Sequence, residues 1–202
     1  MAIYHFRSSL LQRSSKQPLI SVVSSHAGET LTDLVQKKTY GAGLISSHRQ
    51  SDILLPTGYA VLSRETLWNA VINTVQDKKN PVVALVLVII MPLELSDAAN
   101  WALATHYLHR TFVKQSLAVD VVLRSIAVGS GKQPMLHVMV PVFYMNEDGF
   151  SEQVFNYSQM GYIGKCRRRW VRHVNSELKR SGYAKMKAPH PLLSPLLESV
   201  GD

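Results

Sequence analysis

Apolar and polar positions along this chain repeat with two periods, and the period predicts the element. At residues 3–7, Ile3, His5 and Arg7 alternate with Tyr4 and Phe6, the two-residue period of a strand. An apolar face over residues 18–26, closed by Gly28, predicts a short helix. Residues 39–51, with Gly41, Gly43 and paired serines, read as a loop, and residues 53–55 as a short strand stopped by Pro56 and Gly58. Ser63 caps a predicted helix over residues 64–77, where Leu67, Val71 and Val75 recur every four residues and Trp68 and Ile72 widen the stripe.

The most apolar run, residues 82–91, lies between Pro81 and Pro92. It is built of Val, Ile and Leu without alternation, the pattern of a central strand covered on both faces, and is about half the ~20 residues that a membrane-spanning helix needs. Ser96 caps a second helix reaching to about residue 114, with Trp101, Leu103, Tyr107, Leu108 and Phe112 along it. Residues 117–126 and 136–144, rich in β-branched side chains, read as neighbouring strands joined by Gly129-Ser130-Gly131-Lys132. Cys166, Trp170, Val171, Val174 and Leu178 trace one face of a last helix that stops at Gly182, and Pro189, Pro191 and Pro195 mark a loose tail. Strands and helices in this mixed order predict an α+β fold with a largely antiparallel sheet, and no internal repeat is visible.

Composition narrows the partners. Twenty-two Lys and Arg against 14 acids give a net charge of +8, which favours a polyanion such as nucleic acid or an anionic surface. The single cysteine, Cys166, excludes an internal disulfide and a Cys-x-x-Cys centre, and fits a reducing cytosol. The first eight residues place a charge and a histidine where a secretory signal carries its apolar stretch, so a cytoplasmic protein with no membrane partner is expected.

Several short segments then fall in a meaningful order: Met1-Ala2-Ile3-Tyr4-His5, Ala27-Gly28-Glu29 with Leu31-Thr32-Asp33, Leu67-Trp68-Asn69-Ala70, Pro92 with Glu94-Leu95, and Glu147-Asp148-Gly149-Phe150. With Arg168-Arg169-Trp170, Val174-Asn175 and Arg180-Ser181-Gly182, they resemble the landmarks of the relaxase domain of the MobA/MobL plasmid-mobilisation family. The resemblance covers residues 1–185 as one relaxase-like domain and leaves 186–202 as a Pro-rich C-terminal tail. It implies a relaxase-like (HUH-type) central antiparallel five-stranded sheet flanked by helices. It also implies phosphoryl transfer, in which a tyrosine attacks a DNA phosphate polarised by a divalent metal on a histidine triad.

Measured against that pattern, the chain has lost its chemistry. The family's His-x-His, two residues apart so that both reach one ion, falls on Met135-Leu136-His137, leaving His137 as a remnant. Ala127 falls at the first ligand position, on the adjoining strand, Ser25 at the nucleophile, and Val86 and Val88 at two acidic positions. The replacements are mostly apolar, so a polar cleft floor is expected to have become core. No cofactor is expected; Mg²⁺ or Mn²⁺ enters only if the site is active after all, with Tyr40 as nucleophile and His5, His26 and His137 regrouped around the ion.

Other features have plainer readings. His137 is expected as a hydrogen-bonded core residue, His106 and His109 as a solvated helix face, and the Gly129–Lys132 segment as a strand connection rather than a P-loop. Tyr40, Tyr59 and Tyr162 stand away from the family's nucleophile position. Lys165, Arg167, Arg168, Arg172 and Lys179 concentrate charge on the last helix and are candidate DNA contacts. The expected protein is a catalytically silent relaxase-like domain that binds single-stranded or plasmid-origin DNA, or assists an active relaxase or other mobilisation proteins. The alternatives are an active nickase with a rearranged site and a protein-interaction module without DNA binding.

Overall fold

Where the chain carries long apolar strands, they pair. The structure is a computed structural model that describes residues 5–13, 17–41, 48–79, 81–128, 131–147, 149–154 and 160–186. Its centre is a five-stranded sheet of β1 (Phe6–Gln12), β4 (His48–Leu54), β5 (Val82–Ile90), β6 (Val119–Val128) and β7 (Gly131–Pro141) in the order β1-β5-β7-β6-β4. Every neighbouring pair is antiparallel. Two hairpins flank it: β2 (Leu31–Asp33) with β3 (Lys38–Tyr40), and β8 (Phe143–Asn146) with β9 (Gly149–Gln153). No helix among the described residues is long and apolar enough to cross a membrane.

Four helices supply the layers. The first, α1 (Leu19–Ala27), ends where Gly28 turns left-handed at φ 70°, a conformation that costs glycine little. Ser63 caps α2 (Arg64–Thr74) by accepting from the Thr66 amide, and Ser96 caps α3 (Asp97–Thr111) in the same way through Ala99. A short 3₁₀ turn, Val113–Gln115, follows α3, and α4 (Met160–Arg180) closes the described chain. Trp68 Nε1 and Arg64 Nε of α2 both donate to Asp120 of β6, so α1 and α2 lie on the sheet face that carries Asp120. On α4, the Arg167 guanidinium stacks on Phe6, whose side chain points to the opposite face, and Tyr107 of α3 meets Trp170 edge-on. The helices α3 and α4 therefore cover that second face.

Several expectations need correction. Residues 39–51 are not one loop: Lys38–Tyr40 and His48–Leu54 are strands, and the polar sequence of β4 is held extended by its ladder to β6 rather than by propensity. The first strand runs Phe6–Gln12, further along than residues 3–7, of which 1–4 lie outside the described residues. The middle strand is β7, and β5 beside it is fully buried on one face and only partly on the other. Val86 and Val88 are half-buried on that partly buried face, between the buried Ala84 and Ile90, and their apolar character made a partly open face read as a buried one. Of the predicted tail, residues 187–202 lie outside the described residues, while its first residue, Met186, is buried and donates its amide to Asn175.

Candidate functional site

Register decides which side chains share the open face. Because side chains alternate along a strand, pairing partners across the sheet form rows on one face. One row runs Ile90 of β5, Met135 of β7 and Arg124 of β6, with His5 at its β1 end, where its carbonyl accepts from the Ile90 amide. The next row runs Arg7, Val88, His137 and Val122. Beyond it lie Ser9, Val86, Met139 and Asp120. The helices α1 and α2 cover the Asp120 end of this face. Arg7 and Ser9 are exposed and Val86, Val88, His137 and Arg124 half-buried, while Ile90, Met135, Val122 and Met139 between them are buried, so the solvent-reached part of this face is a shallow cleft.

The C-terminal end of α1 stands at the cleft edge. Ser25 is exposed, and its carbonyl, with that of His26, accepts from Arg124 Nη2. Ser25, Arg124, Met135 and His137 therefore come together, while Ala127 does not join them. Ala127 pairs with Lys132, is exposed, and lies three residues beyond Arg124, the β6 residue across from Met135. The neighbouring Ser24 hydroxyl is buried and donates within the Glu29, Tyr40 and Gly41 carbonyl cluster, anchoring α1 to the β2–β3 hairpin.

A buried ionic network supports this edge. Asp120 is fully buried; its carboxylate accepts from Arg64 Nε at 3.1 and 3.0 Å and from Trp68 Nε1 at 2.8 Å. His26 Nε2 lies 3.3 Å from Asp120 Oδ1, a close contact without hydrogen-bond alignment. Arg64 also reaches Glu29. Burial pushes the Asp120 pKa up, but His26 and Arg64 outweigh it and hold it below the ordinary value. Burial likewise works against the charge of Arg64, yet Asp120 and Glu29 raise its pKa overall. Asn69 completes the support by accepting from the Leu34 amide and donating to the Thr32 and Glu65 carbonyls. The segments singled out at residues 27–33 and 67–70 thus meet as scaffold around α1.

The cleft itself is cationic. Burial, then Arg124 and His26, lower the pKa of His137 to about 3, so it is neutral at physiological pH. The pKa of His5 is lowered by burial, Arg7 and Arg167. Arg124 has its own pKa lowered by burial, partly opposed by Asp120, and its Nε is buried with no hydrogen-bond partner.

Helix α4 presents its charges elsewhere. Lys165, Arg168, Arg172 and Lys179 are exposed on the helix layer across the sheet from the cleft, Arg172 lining a recess between α3 and α4 with Arg110 and Arg169, and Arg167 lies over the Phe6 ring at the β1 edge. Of the other tyrosines, Tyr40 donates to Gln36 Oε1 at 3.2 Å, and the pKa of Tyr162 is pushed up by burial, with Cys166 adding to the shift. His106 stacks against His173 with ring centroids 5.0 Å apart. Sequence reasoning missed Arg64, Asp120 and Arg124. An Asp and an Arg four residues apart on an apolar strand, 120 and 124, were the available signal, since such groups are buried only when partnered.

The residues present do not fit a divalent ion at the position the resemblance implies. The three places that converge there hold His137, a thioether at Met135 and a guanidinium at Arg124, and a guanidinium repels a cation. Among the described residues, no three His, Cys, Asp or Glu side chains are grouped so as to hold a metal.

Comparison with known proteins places this geometry. The sequence profile described as the MobA/MobL family matches residues 21–187. Among curated protein sequences none matches the chain. Among solved structures, the fold is similar to one described under the molecular basis of vancomycin resistance transfer in Staphylococcus aureus. That similarity has a TM-score of 0.79 at 21% identity and covers 94% of this chain and 100% of that one. It is also similar to the conjugative relaxase TrwC in complex with oriT DNA, at TM-score 0.56 and 10% identity over 88% of this chain and 72% of that one. The metal-bound structure of TrwC gives 0.55 and 12% over 88% and 71%. At these identities the likeness establishes the relaxase-like fold, and the profile match over most of the chain establishes the family: the chain belongs to the MobA/MobL family.

Proposed function

We propose that this protein is a relaxase-like component of plasmid mobilisation that binds single-stranded DNA in the open cleft of its sheet and does not nick it. The observation that carries this reading is the residue set on the cleft floor, where Arg124 and Met135 stand beside His137 and Ser25 lies at the edge. A serine hydroxyl needs a base or a metal to become a nucleophile. Among the described residues, the imidazole in the middle of the floor, His137, has no carboxylate in its row to orient it, and the acid nearest in register, Asp120, is committed to Arg64 and Trp68. DNA as the partner is supported by the net charge of +8, by the cationic cleft, and by the oriT DNA bound in the TrwC structures of the same fold.

The test uses the full chain with labelled single-stranded oligonucleotide and with supercoiled plasmid, in Mg²⁺, in Mn²⁺ and in EDTA. Salt-dependent binding of the single strand with the plasmid left supercoiled is expected. A metal-dependent nick with protein attached to the 5′ end would instead establish an active enzyme, and the modified residue would name its nucleophile. Absence of DNA binding would favour a protein-interaction role.

A further inference from the structure

We propose that Arg124 takes the place of the metal ion: it is a fixed cation that receives one phosphodiester of a single strand lying in the cleft, so that DNA is held without a metal and without cleavage. This rests on the DNA-binding reading above and adds the group that does the holding.

Four observations lead there. First, Arg124 stands across β6–β7 from Met135, and His137 lies two residues along β7 on the same face, so the three side chains converge on one point above the sheet. Second, the guanidinium is aimed rather than free. Its Nη2 is held by the Ser25 and His26 carbonyls at the C-terminal end of α1, which are neutral acceptors carrying the negative end of the helix dipole. Third, no described residue forms an ion pair with it. The acid on the same face of β6, Asp120, is saturated by Arg64 and Trp68, and the two floor rows nearest Arg124 contain no carboxylate. Fourth, Arg124 Nε is buried with no hydrogen-bond partner among the described residues, the condition an anionic ligand relieves.

A guanidinium suits this task and excludes the other. With Nη2 committed to the two carbonyls, Nη1 and Nε are the groups left to donate to a non-bridging oxygen of a phosphodiester, from a planar group whose orientation is fixed. Unlike a metal, it has no open coordination position with which to activate a hydroxyl. Arg7, exposed on the same face in the row of His137, offers a contact for an adjacent phosphate.

The experiment measures binding of a fluorescent single-stranded oligonucleotide by anisotropy across a salt series, with inorganic phosphate as competitor. Wild-type affinity should be the same in EDTA and in Mn²⁺, and inorganic phosphate should compete only weakly, because one phosphate lacks the neighbouring contacts of a strand. Arg124→Met should weaken binding about tenfold and lower the salt slope by about 1, the signature of one lost phosphate contact. Unchanged affinity in a folded Arg124→Met protein would overturn the inference and leave the DNA-binding reading standing, whereas a wild type that binds no DNA would remove both. Because Arg124 also braces α1, a second variant guards against misfolding. Arg124→His with Met135→His should create a three-histidine site with His137, binding Mn²⁺ or Co²⁺ by titration calorimetry, while Ala127→His with Met135→His should not. Metal uptake by the second pair and not the first would overturn the placement of Arg124.

Discussion

At the scale of single residues, the cleft depends on a charge that has been taken out of water. Asp120 is fully buried and Arg64 is only 7% exposed, and each is stabilised by the other. Removing one partner leaves a buried charge uncompensated, so Asp120→Ala should cost about 3–5 kcal/mol, read as a lower chemical-denaturation midpoint. A loss below about 1 kcal/mol would mean that water reaches Arg64. His137 makes a pH-dependent contribution of definite sign. Its pKa in the folded protein is about 3 against an ordinary 6.5, so between those values the unfolded chain binds a proton that the folded chain refuses. Stability should therefore fall as pH drops below about 6.5, by up to about 1.4 kcal/mol per pH unit from this group. Asp120, held below its ordinary value of 3.8, loses its contribution only at lower pH. His137→Gln should flatten the stability profile between pH 6 and 4, and an unchanged slope would place its origin in His5 and His173, whose pKa values are also lowered.

At the scale of elements, most of the fold was legible and its register was not. Ser63 and Ser96 announced two helices through the polar side chain that satisfies a free amide, and the four-residue spacing of Cys166, Trp170, Val174 and Leu178 traced the buried face of α4. The strand β4 escaped because His-Arg-Gln-Ser-Asp carries no apolar alternation, and only pairing with β6 extends it. The placement of Ala127 beside Met135 came from counting along a sequence. The pairing of Arg124 with Met135 is a property of the ladder, which spacing alone cannot supply. Helix α4 was expected to hold the DNA contacts, yet its outer cations lie across the sheet from the cleft, and Arg167 lies over Phe6 at the β1 edge. On the proposed binding mode, charges so placed steer a polyanion without gripping it. Arg168→Glu with Arg172→Glu should therefore slow association by several-fold at low salt and change dissociation little, whereas Arg167→Glu should speed dissociation. Stopped-flow fluorescence separates the two, and a large rise in dissociation rate for the outer pair would relocate the DNA path to α4.

At the scale of the whole molecule, one sheet face is closed by α3 and α4 as core, and the other is closed over only its Asp120 half by α1 and α2. The family resemblance was readable because the segments that carry it, residues 27–33 and 67–70, are the scaffold that joins α1, α2 and the β2–β3 hairpin. The activity was harder to read because it rests on which side chains meet in the uncovered half, where valines, a methionine and an arginine occupy the floor. Beside the buried Met135, Arg124 and Arg7 stand on the same face, so the floor expected to be apolar also carries charge. The central claim is that a single DNA strand lies on this open face. Photocrosslinking of a bromodeoxyuridine-substituted single-stranded oligonucleotide, in EDTA, followed by peptide mapping tests it directly. The account predicts crosslinks in the β1 and β7 peptides and at the end of α1; crosslinks confined to the outer side of α4, or none despite measurable binding, would contradict it.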